Sequence, residues 1–146
     1  VGAAPPRPHK KPSHFILFPF LMMLGFYQHS HVRLSVNASR QQIRDSLTCS
    51  DQIQAWMMPQ VWEPDFPPAL TSGMIYKSQW GFITIAHEVT DLNDRCLKLL
   101  LSEGIEGFHY WHWDDRWLDS RLEGVSLLPI ALIHTYALFR LRSFLG

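Results

Sequence analysis

The sequence lacks the residue patterns that mark several large classes of protein. Thirteen basic and thirteen acidic side chains cancel within 146 residues. No dense stripe of Lys and Arg lies beyond the extreme N-terminus, which argues against nucleic acid as the main partner. A Gly-rich phosphate loop and a Gly-x-Ser-x-Gly elbow are also missing. These absences disfavour nucleic-acid-binding proteins, phosphate-loop nucleotide-binding proteins and hydrolases of the nucleophile-elbow type.

Cysteine is scarce as well. Only Cys49 and Cys96 occur, without CxxC or other metal-ligand spacing. This pattern predicts two reduced thiols in a cytoplasm-like compartment, and a disulfide between them is the alternative. We therefore expect a cytoplasmic protein, with peripheral association with a membrane left open.

Histidine is plentiful, but its spacing gives no convincing metal site among the eight that occur. His109 and His112 lie three residues apart in a predicted strand, so they point to opposite faces. His29 and His31 share a face without an obvious acidic companion. We expect no bound metal and no other cofactor.

An apolar run long enough to span a bilayer is also missing. Residues 1–14 contain four prolines and no apolar periodicity, which predicts an extended tail. The run from Phe15 to Phe26 is uncharged, but a transmembrane helix needs about 20 residues, and Pro19 would disturb it. A basic segment before an apolar run imitates a signal peptide, yet no Ala-x-Ala-like site follows.

We therefore divide the chain into an N-terminal tail and apolar arm, residues 1–25, and one domain, residues 26–146. Three alternatives stay open for the first segment. It could direct export or anchoring, or it could form an edge strand or packing arm. Residues 1–21 could also be foreign to the fold, with Met22 or Met23 as the initiator.

Apolar and aromatic residues are what the sequence has in quantity. They make up 47% of it, charged residues are 18%, and six tryptophans, nine phenylalanines and four tyrosines are present. A chain of this length and composition can bury a real core in a single domain.

A C-terminal helix is predicted from Pro129, whose fixed φ suits a first helical turn. At 100° per residue, one broad arc of this helix is apolar. The arc contains Ile130, Ile133, His134, Ala137, Leu138, Leu141, Phe144 and Leu145. Leu132 and Phe139 lie together on the opposite side, so the arc is the face expected to be buried.

Short strands fill most of the chain before this helix. Alternating apolar residues predict a first strand from His31 to Val36 and further strands from about Met74 to Ser126, while the proline-rich residues 61–68 form at most an edge strand. Ser39 and Gln42 fit a capping box that starts a short helix, and Ser50 and Asp51 offer a cap for a second. This order predicts an α+β fold in which the long helix packs against a curved antiparallel sheet.

Particular segments in this order resemble the SRPBCC superfamily, the START-like helix-grip proteins that include the major birch pollen allergen, polyketide cyclases and lipid-transfer domains. Residues 36–39 with Ile43 and Leu47 resemble its passage from first strand to first helix. Residues 51–59 resemble its second helix, and residues 122–129 the lead into its last helix. The aromatic residues 108–113 are similar to small cyanobacterial members.

The resemblance spans about residues 27–145. It implies a helix-grip fold, in which about seven antiparallel strands curve around the C-terminal helix and an apolar cavity lies between them. It does not fix a reaction, because one fold hosts many functions.

Inward positions of the predicted sheet and helices supply the candidate ligand contacts. These are Trp56, Met57, Tyr76, Trp80, His87, Trp111, Ile133, His134, Ala137 and Leu141. His87 or His134 could act as a general base with Tyr76 as hydrogen-bond donor, although a hydrogen-bonded core histidine is the competing interpretation. Asp114 and Asp115 fit a hairpin turn better than a catalytic pair.

Three functions follow from this pattern. The first is binding or transport of a small hydrophobic or amphipathic molecule, such as a lipid, isoprenoid, pigment or aromatic metabolite, without catalysis. The second is a metal-independent enzyme similar to polyketide cyclases or dehydratases. The third is an interaction subunit with a filled core, which forms a homodimer or contacts a protein or membrane through Leu132, Phe139 and the segment from Phe15 to Phe26.

Overall fold

The computed structural model describes residues 25–57, 60–62 and 66–146. Its strands are β1 Phe26–Ser35, β2 Val61–Trp62, β3 Ile75–Trp80, β4 Ile83–Leu92, β5 Cys96–Glu103, β6 Glu106–Asp114 and β7 Trp117–Ser126. Its helices are α1 Arg40–Thr48, α2 Ser50–Trp56 and α3 Ile130–Leu145. The predictions for the tail and for the run that starts at Phe15 lie outside the described residues, apart from the last two positions of that run.

The seven strands form one antiparallel sheet in the order β1-β7-β6-β5-β4-β3-β2. Helices α1 and α2 follow the first strand, and α3 packs against β1, β7 and both short helices. The predicted helix-grip α+β fold is therefore confirmed. β1 is longer than the predicted strand and begins at Phe26, and the proline-rich segment contributes a two-residue edge strand as expected.

The turn between β5 and β6 consists of only Gly104 and Ile105. Gly107 lies inside β6 and faces Gly124 of β7 across the ladder. A Cβ on Gly107 would overlap the carbonyl oxygen of Glu123, so glycine is required here for close approach of two strands rather than for a turn.

The predicted buried arc of α3 is confirmed for most of its length. Ile130, His134, Ala137, Leu138 and Leu141 are buried. Ile133 and Leu145 are half-buried, whereas Phe144 is 43% exposed, against expectation. The prediction is wrong for Phe144 because this residue lies in the last turn of α3, where the helix ends next to solvent.

The two short helices begin differently. Ser39 accepts a hydrogen bond from the Gln42 amide at 3.2 Å, and the Ser39 amide donates to Gln42 Oε1 at 2.8 Å, which confirms the capping box. The second predicted cap is wrong, because Ser50 and Asp51 lie within α2 and Cys49 precedes it without a side-chain cap.

Two further features bear on the sequence expectations. Cys49 and Cys96 are unpaired thiols. Within the described ranges, no helix is long and apolar enough to cross a membrane.

Candidate functional site

A small interior cavity lies between the sheet and the pair α1–α2. Its volume is about 30 Å³. It is lined by Leu47, Ile53, Trp56, Met57, Trp62, Tyr76, His87, Leu97, Leu99, His109 and Trp111. A space of this size holds about one water molecule, and none of the described residues of α3 lines it.

Aromatic rings form the wall of the cavity near β2. The Trp62 ring centroid lies 5.4 Å from that of Tyr76 and 5.9 Å from that of His87. The Tyr76 and His87 rings stack with centroids 4.7 Å apart, and the Phe66 ring centroid lies 5.1 Å from that of Trp62. Burial raises the pKa of Tyr76, so its hydroxyl stays protonated.

A buried hydrogen-bond network beside this wall joins β3 and β4 to Gln60, the residue that precedes β2. Gln60 Nε2 donates to Ser78 Oγ, and Ser78 Oγ lies 2.8 Å from His87 Nε2. All three residues are buried. Burial lowers the pKa of His87 to about 3, so the imidazole is neutral at physiological pH.

A second network of hydrogen bonds connects His109, which lines the cavity, to Ser30 of β1. Ser120 Oγ lies 2.9 Å from His109 Nε2 and 2.8 Å from His134 Nε2, and His134 Nδ1 lies 2.8 Å from Ser30 Oγ. Burial, with a smaller repulsion from His31, lowers the pKa of His134 to about 4. Burial also lowers the pKa of His109 well below its usual value, and His134 and His87 add to the effect.

Two buried nitrogens at the cavity wall lack a hydrogen-bond partner among the described residues. They are Trp62 Nε1 and His87 Nδ1. An unpaired buried donor or acceptor costs free energy, so these two atoms of cavity-lining residues are polar groups that a ligand could satisfy.

The structure brings five of the predicted ligand contacts to this cavity. Trp56, Met57, Tyr76, His87 and Trp111 line it. Trp80, Ile133, His134, Ala137 and Leu141 do not. His134 instead bonds to Ser120 and Ser30, and the proposed ligand contacts of this second set stay predictions.

Sequence reasoning missed Gln60, Trp62, Ser78 and Ser120. Ser78 and Ser120 occupy fully buried positions of alternating strands. A hydroxyl at an inward strand position needs a buried partner, which is a signal that could have been used. Trp62 gave no such signal, because its segment is rich in proline.

Other residues considered in the sequence analysis lie outside the cavity. Asp114 ends β6 beside Asp115 at the hairpin turn, and Asp115 Oδ1 accepts a hydrogen bond from the Arg40 amide at 2.7 Å. The expectation that His31 lacks an acidic companion is wrong, because Asp119 Oδ1 lies 2.8 Å from its Nε2. No group of three or more potential metal ligands occurs in the part of the chain that the structure describes.

The curved sheet against which α3 packs, with two short helices after its first strand, defines an α+β protein of helix-grip fold. No protein-family model and no curated protein matches the sequence.

Solved structures share this architecture at low sequence identity. The Aha1 dimer from Colwellia psychrerythraea is similar with a TM-score of 0.59 and 16% identity over 81% of this chain and 96% of that one. CalU16 from Micromonospora echinospora gives a TM-score of 0.61 and 15% identity over 82% of this chain and 77% of that one.

DynU16, from the dynemicin biosynthetic locus, gives a TM-score of 0.61 and 15% identity. The match covers 80% of this chain and 46% of DynU16. Identities this low show the fold alone. The likeness to cyanobacterial members gains no support from these structures and stays a prediction.

Proposed function

We propose that this protein binds a small hydrophobic or amphipathic molecule, such as a lipid, isoprenoid, pigment or aromatic metabolite, in the cavity beneath α2. The observation that carries the proposal is a largely apolar and aromatic wall that contains two buried nitrogens without partners among the described residues, Trp62 Nε1 and His87 Nδ1. Apolar walls with a few polar groups are typical of small-ligand sites. Burial of apolar ligand surface would drive binding at about 25 cal/mol per Å².

The small volume of the cavity limits which ligands it can hold without a change in the surrounding side chains. Ligand sites commonly have volumes of about 300 to 1,000 Å³, whereas this cavity has about 30 Å³. A ligand must therefore displace side chains. Met57 is the best candidate, because it is half-buried at the end of α2 and methionine is unbranched and flexible.

Ethylbenzene tests the proposal as a minimal apolar probe in isothermal titration. Met57→Ala should enlarge the cavity and strengthen binding severalfold. Leu97→Phe should fill the cavity and abolish binding, because Leu97 lines it. Mass spectrometry of compounds released from protein purified from its native host would identify the physiological ligand.

The control for Leu97→Phe is Leu118→Phe. Leu118 is also buried in a strand but does not line the cavity. Both substitutions overpack the core at a cost of about 1 to 3 kcal/mol, so they should destabilise the fold similarly while only the first removes binding. Equal loss of binding in the two variants, or no binding by the wild type, would contradict the proposal.

The cyclase-like or dehydratase-like alternative receives no such support. A general base works best when its pKa lies near the operating pH, whereas the pKa values of His87 and His134 are lowered to about 3 and about 4. We keep enzyme activity with His87, His134 or Tyr76 as a hypothesis for substrates yet to be tested.

A second candidate function is self-association through the outer face of α3. Leu132 and Phe139 are 69% and 68% exposed, and Tyr136 between them is 44% exposed. Residues at this spacing share one helix face, and two copies of such a face can pack antiparallel. A contact with another protein or with a membrane surface, and a cytoplasmic location, remain predictions.

Sedimentation velocity tests this second candidate. A dimer is expected for the wild type and a monomer for Phe139→Glu. Ala131→Glu is the control, because Ala131 is exposed on α3 but lies off the Leu132–Phe139 stripe. A wild-type monomer at high protein concentration would rule the candidate out.

A further inference from the structure

The hydrogen-bond directions around His87 can be assigned from the partners of Ser78. Gln60 Nε2 donates into Ser78 Oγ, so the serine hydroxyl hydrogen is free to point elsewhere. Ser78 Oγ lies 2.8 Å from His87 Nε2. No other acceptor for the Ser78 hydroxyl hydrogen occurs among the described residues, so the arrangement that satisfies this hydrogen has the hydroxyl donating to Nε2, which is then unprotonated.

A neutral imidazole carries one hydrogen, so an accepting Nε2 places it on Nδ1. Nδ1 of His87 is then a buried N–H donor without a partner among the described residues. Trp62 Nε1 is also buried and lacks a partner among the described residues, and an indole nitrogen can only donate. The two rings lie 5.9 Å apart between centroids and both line the cavity.

We infer that the cavity selects ligands with an un-ionised accepting oxygen, such as the carbonyl of a ketone, aldehyde or ester, and binds that oxygen through Trp62 Nε1–H and His87 Nδ1–H. This inference rests on the proposed ligand-binding function and names the chemistry of the ligand. Alcohols are weaker candidates, because their own hydroxyl hydrogen would need an acceptor that the two donors do not supply.

The charge of the cavity wall argues for a neutral oxygen. The described lining residues include no Lys or Arg, and both lining histidines have lowered pKa values. A carboxylate would enter without a compensating cation, and burying an unpaired charge is costly. A carbonyl gains both hydrogen bonds without this penalty.

Matched probes separate the inference from the function on which it rests. Acetophenone and ethylbenzene have nearly the same size, but only acetophenone carries a carbonyl oxygen. In titrations with the full chain, acetophenone should bind about tenfold more tightly than ethylbenzene. Benzoate should bind at least about tenfold more weakly than acetophenone.

Two tryptophan variants identify the donor. Trp62→Phe keeps an aromatic ring but removes the unpaired N–H, so the preference for acetophenone over ethylbenzene should fall by about three- to tenfold. Trp113→Phe is the control, because Trp113 is also buried with an Nε1 that lacks a partner among the described residues, but it does not line the cavity. Trp113→Phe should leave the preference unchanged.

Nitrogen-15 NMR tests the assigned tautomer, with the His87 signal identified from its loss in His87→Gln. The expected form carries hydrogen on Nδ1, and hydrogen on Nε2 would overturn the inference. Equal affinity for acetophenone and ethylbenzene, or tight binding of benzoate, would also overturn it while the proposed function stands. If neither neutral probe binds, both fail.

Discussion

Single hydroxyl groups hold together the polar part of the core. Ser78 is fully buried and connects Gln60 to His87. Ser78→Ala would leave both partners without this hydroxyl at a buried position. We expect the free energy of unfolding to fall by about 1 to 3 kcal/mol, measured by urea unfolding.

Ser35→Ala is the matched control for this change. Ser35 ends β1 and is exposed, so its replacement should alter the free energy of unfolding by less than about 0.5 kcal/mol. Equal effects of the two substitutions would mean that the buried hydroxyl adds nothing to stability.

Three buried imidazoles give stability a definite dependence on pH. The pKa of histidine in an unfolded chain is about 6.5, whereas His87 and His134 have pKa values of about 3 and about 4, and that of His109 is also lowered. Below pH 6.5 the unfolded state therefore binds protons that the folded state does not. The free energy of unfolding should decrease as pH falls from 6.5 toward 4, and these groups should contribute no slope above about pH 7.5.

Between pH 6.5 and pH 5, His87 and His134 should each cost about 1.6 kcal/mol of stability. Urea unfolding at pH 7.5, 6.5, 5.5 and 5.0 measures the total change in the free energy of unfolding. His134→Leu should make this free energy depend less steeply on pH. A free energy of unfolding that stays constant or rises toward pH 5 would show that these imidazoles are not held neutral.

At the scale of elements, α3 depends on a side chain from the far end of the chain. Gln28 of β1 donates to the carbonyls of Ser126 and Leu128 at 3.1 and 2.8 Å, and its Oε1 accepts from the Ile130 amide at 3.0 Å. Pro129 precedes the helix without a side-chain cap, so Gln28 takes that role.

Gln28→Ala should lower the free energy of unfolding by about 1 to 2 kcal/mol, as the loss of a helix cap does. Hydrogen exchange of the Ile130 amide should become faster. Gln79→Ala is the control, because Gln79 is exposed on β3 and should change neither quantity. Unchanged exchange at Ile130 in Gln28→Ala would contradict the capping role.

Local patterns predicted some elements, while distant contacts set the rest. The capping box of Ser39 and Gln42 could be predicted, because both partners lie within one turn of α1. The Gln28 cap could not, because its contact with Ile130 depends on the β1–β7 register. The role of Gly107 could not be predicted either, because only its position opposite Gly124 shows that it permits two strands to approach.

The candidate site shows the same division. Strand alternation placed Tyr76, His87 and Trp111 inward, and all three line the cavity. The sequence pointed to the C-terminal helix as the cover of the cavity, but α2 and Trp62 provide it. That difference arises because α3 packs over β1 and β7 at one end of the sheet, and sequence periodicity does not specify which strands a helix covers.

At the scale of the whole molecule, the described residues include a seven-stranded sheet and a hydrophobic core. The core cluster is drawn from residues between Val32 and Leu145, and β1 begins at Phe26. A chain that starts at Gly25 keeps every member of this cluster, so its free energy of unfolding should lie within about 0.5 kcal/mol of that of the full chain. Urea unfolding of both chains checks this.

The competing expectation is that the preceding apolar arm packs on the outer face of α3, where Leu132 and Phe139 are exposed. Removal of the arm would then destabilise the domain by more than about 1 kcal/mol, and Phe139→Glu would destabilise the full chain but not the shortened one. Sedimentation of the shortened chain adds a separate readout, because a dimer built from two α3 faces should persist or strengthen when the arm is absent. Loss of stability together with a monomeric shortened chain would assign the stripe to the arm and rule out self-association.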